Sequence, residues 1–195
     1  MKRTREGFKH GAMKRVLAAI LVIGIVAAGT AWAALSTKVI FSVQTTYTGS
    51  TGLGETLERL NLDYGVTLAN GTGAGQANLI FSDSRSLADD ANEVLDFYAS
   101  GTLTDAFGTD LTMTKLKLLI IVNTSTEATL KIGGGAAAVN LFADASDILT
   151  LPPDGRFLWS DPNGLTITAD KDLNLLHGGQ GTAALVYKVI AVGLD

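Results

Sequence analysis

The sequence predicts an all-β protein, an antiparallel β-sandwich or jelly roll that one apolar helix precedes at the N-terminus. Residues 36–195 contain a series of short β-branched and apolar segments, separated by turns rich in Gly, Pro, Asn and Asp. One segment, Leu60–Leu68, alternates apolar and polar residues as a half-buried strand does. Nothing between the predicted strands is both long and periodic at 3.6 residues, so a βαβ architecture is excluded.

The first element, residues 1–35, is a basic leader followed by an apolar run. Six Lys and Arg precede Val16–Leu35, which contains no charged residue. A basic region, an apolar region and then Ala31-Trp32-Ala33 are typical of a secretory signal peptide that is cleaved after Ala33. A start at Met13 would give a leader of ordinary length.

Two other interpretations of Val16–Leu35 remain open. Twenty helical residues rise about 30 Å, which matches the hydrocarbon core of a bilayer, so the run is long enough for a retained membrane anchor. Whether the run is a cleaved signal peptide or a retained anchor, its basic N-terminal flank stays in the cytoplasm, so the body lies on the opposite side of the membrane. The third interpretation is a helix buried in a protein assembly.

The body, residues 36–195, is predicted to be one domain and begins with a strand at Thr37–Thr45, rich in β-branched residues. Tyr47–Gly52 predicts a turn, and Leu60–Leu68 predicts the next strand. Asn70–Gln76 is a glycine-rich segment, interpreted as a wide hairpin loop, after which Ala77–Phe81 resumes the strand pattern.

The middle of the body contains its most apolar segment. Polar residues at Ser82–Glu93 predict one helical turn or a loop, and Val94–Tyr98 predicts a strand. A loop at Gly101–Asp110 leads to Leu116–Val122, which predicts a strand covered on both faces. Asn123–Thr126 then predicts a turn.

The remaining strands are short and closely spaced. Turn signals stand between most of them, for example Pro152–Gly155, Asp161–Gly164 and Gly178–Gly181. The predicted strands are Ala128–Ile132, Asp147–Leu151, Arg156–Ser160, Leu165–Thr168, Asp172–Leu176 and Ala183–Val192.

Charge and composition exclude some functions. Residues 16–195 carry nine Lys and Arg against eighteen Asp and Glu, a formal charge of −9, which argues against nucleic acid as a partner. The chain has no Cys, which excludes a disulfide framework and thiolate chemistry.

No segment of the sequence carries an enzyme signature, and no catalytic residue or cofactor is predicted. The glycines at 71, 73 and 75 lack the Lys-Ser/Thr of a P-loop, and a strand follows them instead of a phosphate-binding helix. His177, the only histidine of the body, has no Gly-x-Ser-x-Gly nucleophile motif as a partner, so it is interpreted as a surface or strand-end residue.

One group of acidic and amide side chains suggests a metal site. Asp170, Asp172 and Asn174 have the spacing of the start of a calcium loop, although its glycine and distal glutamate are missing. They are weak candidates for Ca²⁺ ligands, and the alternative is that they are solvated, turn-forming residues.

Seven stretches that carry a resemblance are Tyr47–Gly49, Gly71–Asn78, Ser82–Ala88, Leu103–Gly108, Pro153–Gly155, Asp172–Leu173 and Tyr187–Gly193. On these stretches the sequence from Tyr47 to the C-terminus, about three quarters of the chain, resembles a family of small structural proteins of tailed bacteriophages.

The resemblance implies a non-enzymatic virion component, a capsid decoration or fibre-like subunit on the virion surface. Its partners would be further copies of itself and capsid or other structural proteins, with a membrane added if Val16–Leu35 is retained. That run departs from the family, whose members lack an export leader. The alternative function is a host-encoded β-sandwich binding module, exported to the periplasm or cell surface and calcium-dependent in one version.

Overall fold

The computed structural model describes residues 34–51, 54–105, 107–142, 144, 146–179 and 183–195, with side chains of 47–58 excepted. Leu35–Asp195 form one compact unit. The leader and apolar run are predicted for residues 1–35, of which residues 1–33 lie outside the described residues. No helix in the described ranges is long and apolar enough to cross a membrane.

The protein is all-β with antiparallel sheets, as the sequence predicts, and no helix occurs among the described residues. The strands are β1 (Thr37–Thr51), β2 (Gly54–Asn70), β3 (Gln76–Ala77), β4 (Leu79–Leu87), β5 (Asn92–Asp96), β6 (Lys115–Asn123), β7 (Leu130–Gly133), β8 (Ile148–Leu151), β9 (Arg156–Thr166), β10 (Asp172–His177) and β11 (Leu185–Leu194).

Eight of these strands form two four-stranded sheets that share one core. One sheet has the order β4-β11-β6-β9, and the other has the order β5-β10-β7-β8. Alternate residues of both sheets, such as Leu119 and Tyr187 from one and Leu130 and Leu175 from the other, belong to a single buried hydrophobic cluster. The body therefore buries the inner faces of two sheets against each other.

β6 is a largely buried strand, as its apolar sequence predicts. Lys115–Asn123 has β11 on one side and β9 on the other, and six of its nine residues are buried. Its inner residues enter the main core, whereas Leu118 and Ile120 belong to a second apolar cluster on the outer face of the sheet.

β1 and β2 form a separate hairpin, which we call the arm. Their register pairs Thr37 with Leu68 and continues over fifteen positions to Thr51 and Gly54, a length of about 50 Å. The turn predicted at Tyr47–Gly52 is therefore largely wrong, because β1 continues to Thr51.

Three further predictions need correction. The polar segment Ser82–Leu87 is neither helical turn nor loop but the second part of β4, because β11 pairs with it residue by residue. Asn70–Gln76 is not a hairpin loop, since β3 runs parallel to the end of β2. Asp161–Gly164 interrupts a single strand: Leu165 and Ser160 of β9 pair with Leu116 and Leu118 on either side of the irregularity.

Candidate functional site

One face of the arm is apolar and exposed. Antiparallel partners lie on the same face of a ribbon, so the pairs Phe41–Tyr64 and Val43–Leu62, with Leu60 beside them, form one surface. We call these five residues the apolar face of the arm.

This surface is buried at the base of the arm and exposed farther out. At the base, Leu68 is 1% exposed and packs in the second apolar cluster, with Val39 and Val66 against it. Farther out, Leu62 is 50% exposed and Tyr64 is 70% exposed. The same alternation that predicts a half-buried strand thus continues beyond the part of the arm that this chain buries.

The opposite face of the arm is polar. Every charged residue among 37–46 and 59–68 lies there, namely Lys38, Arg59 and Asp63, alternating with the apolar positions. Asn61 also lies on this face, which carries one large exposed apolar residue, Ile40. A two-stranded ribbon with one apolar face is marginally stable in water by itself, so the apolar face of the arm is a candidate interaction surface.

A polar cleft lies on the body beside β4. Its volume is about 260 Å³, and Arg85 is the only basic residue on its wall. Arg85 Nε donates a hydrogen bond to Glu93 Oε1 at 2.6 Å, and its Nη1 donates to Asp83 Oδ2 at 2.6 Å. Tyr187 Oη, from the buried side, donates to Glu93 Oε2 at 2.7 Å. The carboxylates of the same protein therefore neutralise the guanidinium, so the cleft presents no free cation to a ligand.

The network sets the ionisation of Glu93. Burial opposes the charged form, but hydrogen bonds from Arg85 and Tyr187 outweigh it, so the pKa of Glu93 lies below its usual value. Burial and the hydrogen bond to Glu93 raise the pKa of Tyr187. A carboxylate with a lowered pKa stabilises the fold above its unfolded pKa, and this stabilisation is lost as the pH falls through the folded pKa.

Replacing Tyr187 with Phe should therefore make the protein more acid-sensitive. The substitution removes one hydrogen bond to a charged group, which costs about 1.5–3 kcal/mol at neutral pH, and it moves the pKa of Glu93 back toward its usual value. Acid unfolding followed by circular dichroism should show a midpoint at higher pH. The partly exposed Tyr98, replaced in the same way, serves as control. Equal acid midpoints for Tyr187→Phe and the wild type would contradict this account of the network.

Two of the three calcium candidates contact other groups of the chain, and the third is exposed. Asp170 is exposed, whereas Asp172 Oδ1 lies 3.3 Å from the Nζ of Lys171. Asn174 Nδ2 donates a hydrogen bond to the carbonyl of Gly134, and this bond links β10 to the turn after β7. In the part of the chain that the structure describes, no group of three or more His, Cys, Asp or Glu has the arrangement of a metal site. Calcium binding stays a prediction.

His177 fastens a loop at the end of β10. Its side chain is buried, its Nδ1 accepts a hydrogen bond from the Gly179 N–H at 3.1 Å, and its Nε2 lies 3.0 Å from the carbonyl oxygen of Ala183. Nε2 carries a proton, because the Ala183 oxygen can only accept, and Asp89 Oδ1 lies 3.3 Å from Nδ1. His177 lies at the end of a strand, as predicted, but it is buried, so the surface alternative is wrong.

The glycine-rich loop is held by a buried lysine that the sequence analysis did not single out. Lys117 of β6 is 1% exposed and donates from Nζ to the Gly73 carbonyl oxygen at 2.6 Å. Burial lowers the pKa of Lys117, and the nearby charge of Lys115 lowers it further. The Gly75 N–H donates to the carbonyl of Pro162 at 3.0 Å. The sequence signal for this contact is the position of Lys117 within an apolar segment, because a buried lysine needs a hydrogen-bond acceptor.

A comparison with models of known protein families found no match, and a comparison with curated proteins found none either.

Proposed function

We propose that this protein is a non-enzymatic structural component of a virion, a capsid decoration or fibre-like subunit with a jelly-roll body. It acts by self-association and by docking on capsid or other structural proteins at the virion surface. Burial of surface between subunits, not bond chemistry, is the mechanism.

The order of the strands carries this proposal. When β4 to β11 are counted as strands one to eight, the two sheets have the orders 1-8-3-6 and 2-7-4-5. This is the order that results when a long antiparallel ribbon, with the pairs 1-8, 2-7, 3-6 and 4-5, is wrapped into two sheets, as in a jelly roll. Jelly rolls are common in viral capsid proteins. The resemblance to structural proteins of tailed bacteriophages supports the same class.

The arm is the second support. It lies outside the eight strands of the jelly-roll order, and residues 37–46 and 59–68 keep an apolar face uncovered although a folded body is available. An extension of this kind is useful to a protein whose surfaces meet other subunits, because a large exposed apolar patch marks an interaction site.

Particle composition tests the proposal. We expect mass spectrometry of density-gradient-purified virus particles to find this chain in a fixed ratio to the major capsid protein, and washing at high salt to leave it bound. An unrelated protein of the same host, followed through the same gradient, is the control for contamination. The proposal fails if the chain remains in the cell-envelope fraction and is missing from the particle peak.

A second candidate is an exported binding module, favoured by the basic leader and by Val16–Leu35. Lectin domains also use the jelly roll, so the fold supports this candidate as well. Intact-mass measurement separates the two candidates. A mature protein that begins at Ala34 in the periplasm supports export, whereas a chain that keeps residues 1–33 within a particle supports assembly.

A further inference from the structure

We propose that a second copy of this chain covers the apolar face of the arm, and that two arms stack face to face across a twofold axis. The inference rests on the proposed function in so far as both require self-association, and it adds the surface and the partner. Its test is separate from the particle test, because a virion protein could assemble through other surfaces.

The chemistry of the face is compatible with a copy of itself. None of its five residues is ionisable near neutral pH, and Lys38, Arg59 and Asp63 all lie on the other side of the ribbon. Two identical surfaces carry identical charges, so a charged patch would repel its own copy, whereas an uncharged apolar surface does not. A lipid surface is less well matched, because the arm has no cluster of Lys and Arg in these ranges to attract anionic headgroups.

The exposed area is close to what a pair of copies needs. The four most exposed side chains of the face are 50–70% exposed. Since a large apolar or aromatic side chain has an area of roughly 150–250 Å², they expose about 450 Å² on each copy. Two copies together would bury on the order of 1,000 Å², the lower limit of a specific protein–protein interface. A single arm thus supplies enough apolar surface for a weak dimer.

Stacking also removes the instability of the isolated ribbon. Two ribbons packed about 10 Å apart make a four-stranded, two-layer unit with Phe41, Leu62 and Tyr64 in its interior. The polar faces, with Asn61 and Asp63, remain in water on both sides. The two sheets of the body have the same arrangement, in which their apolar inner faces pack against each other and polar residues point outward.

A matched pair of lysine substitutions tests the inference on the full chain. Leu62→Lys places an ammonium group on each apolar face, whereas Asn61→Lys adds the same charge one residue away on the polar face. Since pairing would bury two unpaired charges, we expect Leu62→Lys to weaken self-association by at least about 100-fold. Asn61→Lys should change it by less than about threefold. Sedimentation equilibrium of both variants and the wild type measures the dissociation constant of the dimer. For the wild type we expect a value in the micromolar range.

Cross-linking provides a second readout that does not require dissociation. The chain has no Cys, so a single introduced thiol is unique. Tyr64→Cys should give a covalent dimer with a short bis-maleimide reagent at protein concentrations where Asp63→Cys, on the polar face, gives little. Dilution below the dissociation constant should abolish the product.

Three results would overturn the inference. A wild-type protein that is monomeric at about 100 µM has no second copy on the arm. Equal self-association of the two lysine variants places the contact elsewhere and leaves the virion proposal untouched. A large loss of thermal stability in Leu62→Lys without any change in association would show that the chain itself covers this face.

Discussion

Replacing Gly193 with Ala should destabilise the fold by about 3 kcal/mol or more, a large part of the 5–15 kcal/mol of a typical domain. Gly193 lies in β11, the strand between β4 and β6, where the pairing with β6 shifts register after Val192. A Cβ atom at this position would collide with the carbonyl oxygen of Lys115 and with the side chain of Met113. The carbonyl belongs to the backbone of β6, so relief requires separating two central strands.

Gly65→Ala provides the matched control. Gly65 also lies in a strand, but the nearest atom to its Cβ would be the Val39 carbonyl oxygen at 3.8 Å, an ordinary contact. Urea unfolding should therefore show a strongly lowered midpoint for Gly193→Ala and an almost unchanged one for Gly65→Ala. Similar midpoints for the two variants would mean that β11 does not approach β6 in this register.

Replacing Asn123 with Leu should lower the free energy of unfolding by about 3 kcal/mol or more. The Asn123 side chain is completely buried, and both polar atoms of its amide form hydrogen bonds. Its Nδ2 donates to the carbonyl oxygens of Ala128 at 2.8 Å and Pro152 at 3.0 Å, with Leu151 at 3.3 Å. Its Oδ1 accepts from the Ser125 N–H at 3.0 Å. Leu has a similar size but would remove the hydrogen bonds to the Ala128 carbonyl and from the Ser125 N–H in the interior, whereas the Pro152 carbonyl would keep the Gly155 N–H as its donor.

The control for this substitution is Asn163→Leu. Asn163 is exposed in the irregular part of β9, where the same change removes no buried hydrogen bond. Urea unfolding monitored by the fluorescence of Trp159 measures both variants. If Asn123→Leu were as stable as the control, the amide would not hold β6 to the loop before β7 and to the end of β8 in the way described.

The sequence predicts strands well where one cause dominates. Leu118–Val122 of β6 has no polar residue to place in water, so the apolar run predicts directly that this strand is covered on both faces. β4 is harder to predict from the sequence. Ser82, Asp83 and Ser84 place polar side chains on both faces of the strand, so the alternation of apolar and polar residues is lost. Its strand conformation comes from pairing with β11, a contact about 100 residues away that no local pattern reveals.

The candidate site is predictable in part. The alternation of Leu60–Leu68 predicts an apolar face, but it cannot tell whether this chain or another covers that face, since the pattern is the same in both cases. Asn123 looks like a turn residue in the sequence, and its burial depends on carbonyl groups that two later loops bring together. The hydrogen-bond network of Arg85 joins side chains of β4, β5 and β11, so it depends on the tertiary fold.

The most direct test of the central claim is cryo-electron microscopy of purified particles. The claim is that jelly-roll subunits assemble through surfaces and that their arms meet in pairs. It predicts density for the body on the particle exterior and for two stacked ribbons between neighbouring copies, with Phe41 and Leu62 at their interface. A map in which each arm extends into solvent without a neighbouring copy, or in which the subunit is missing from the particle, would contradict it.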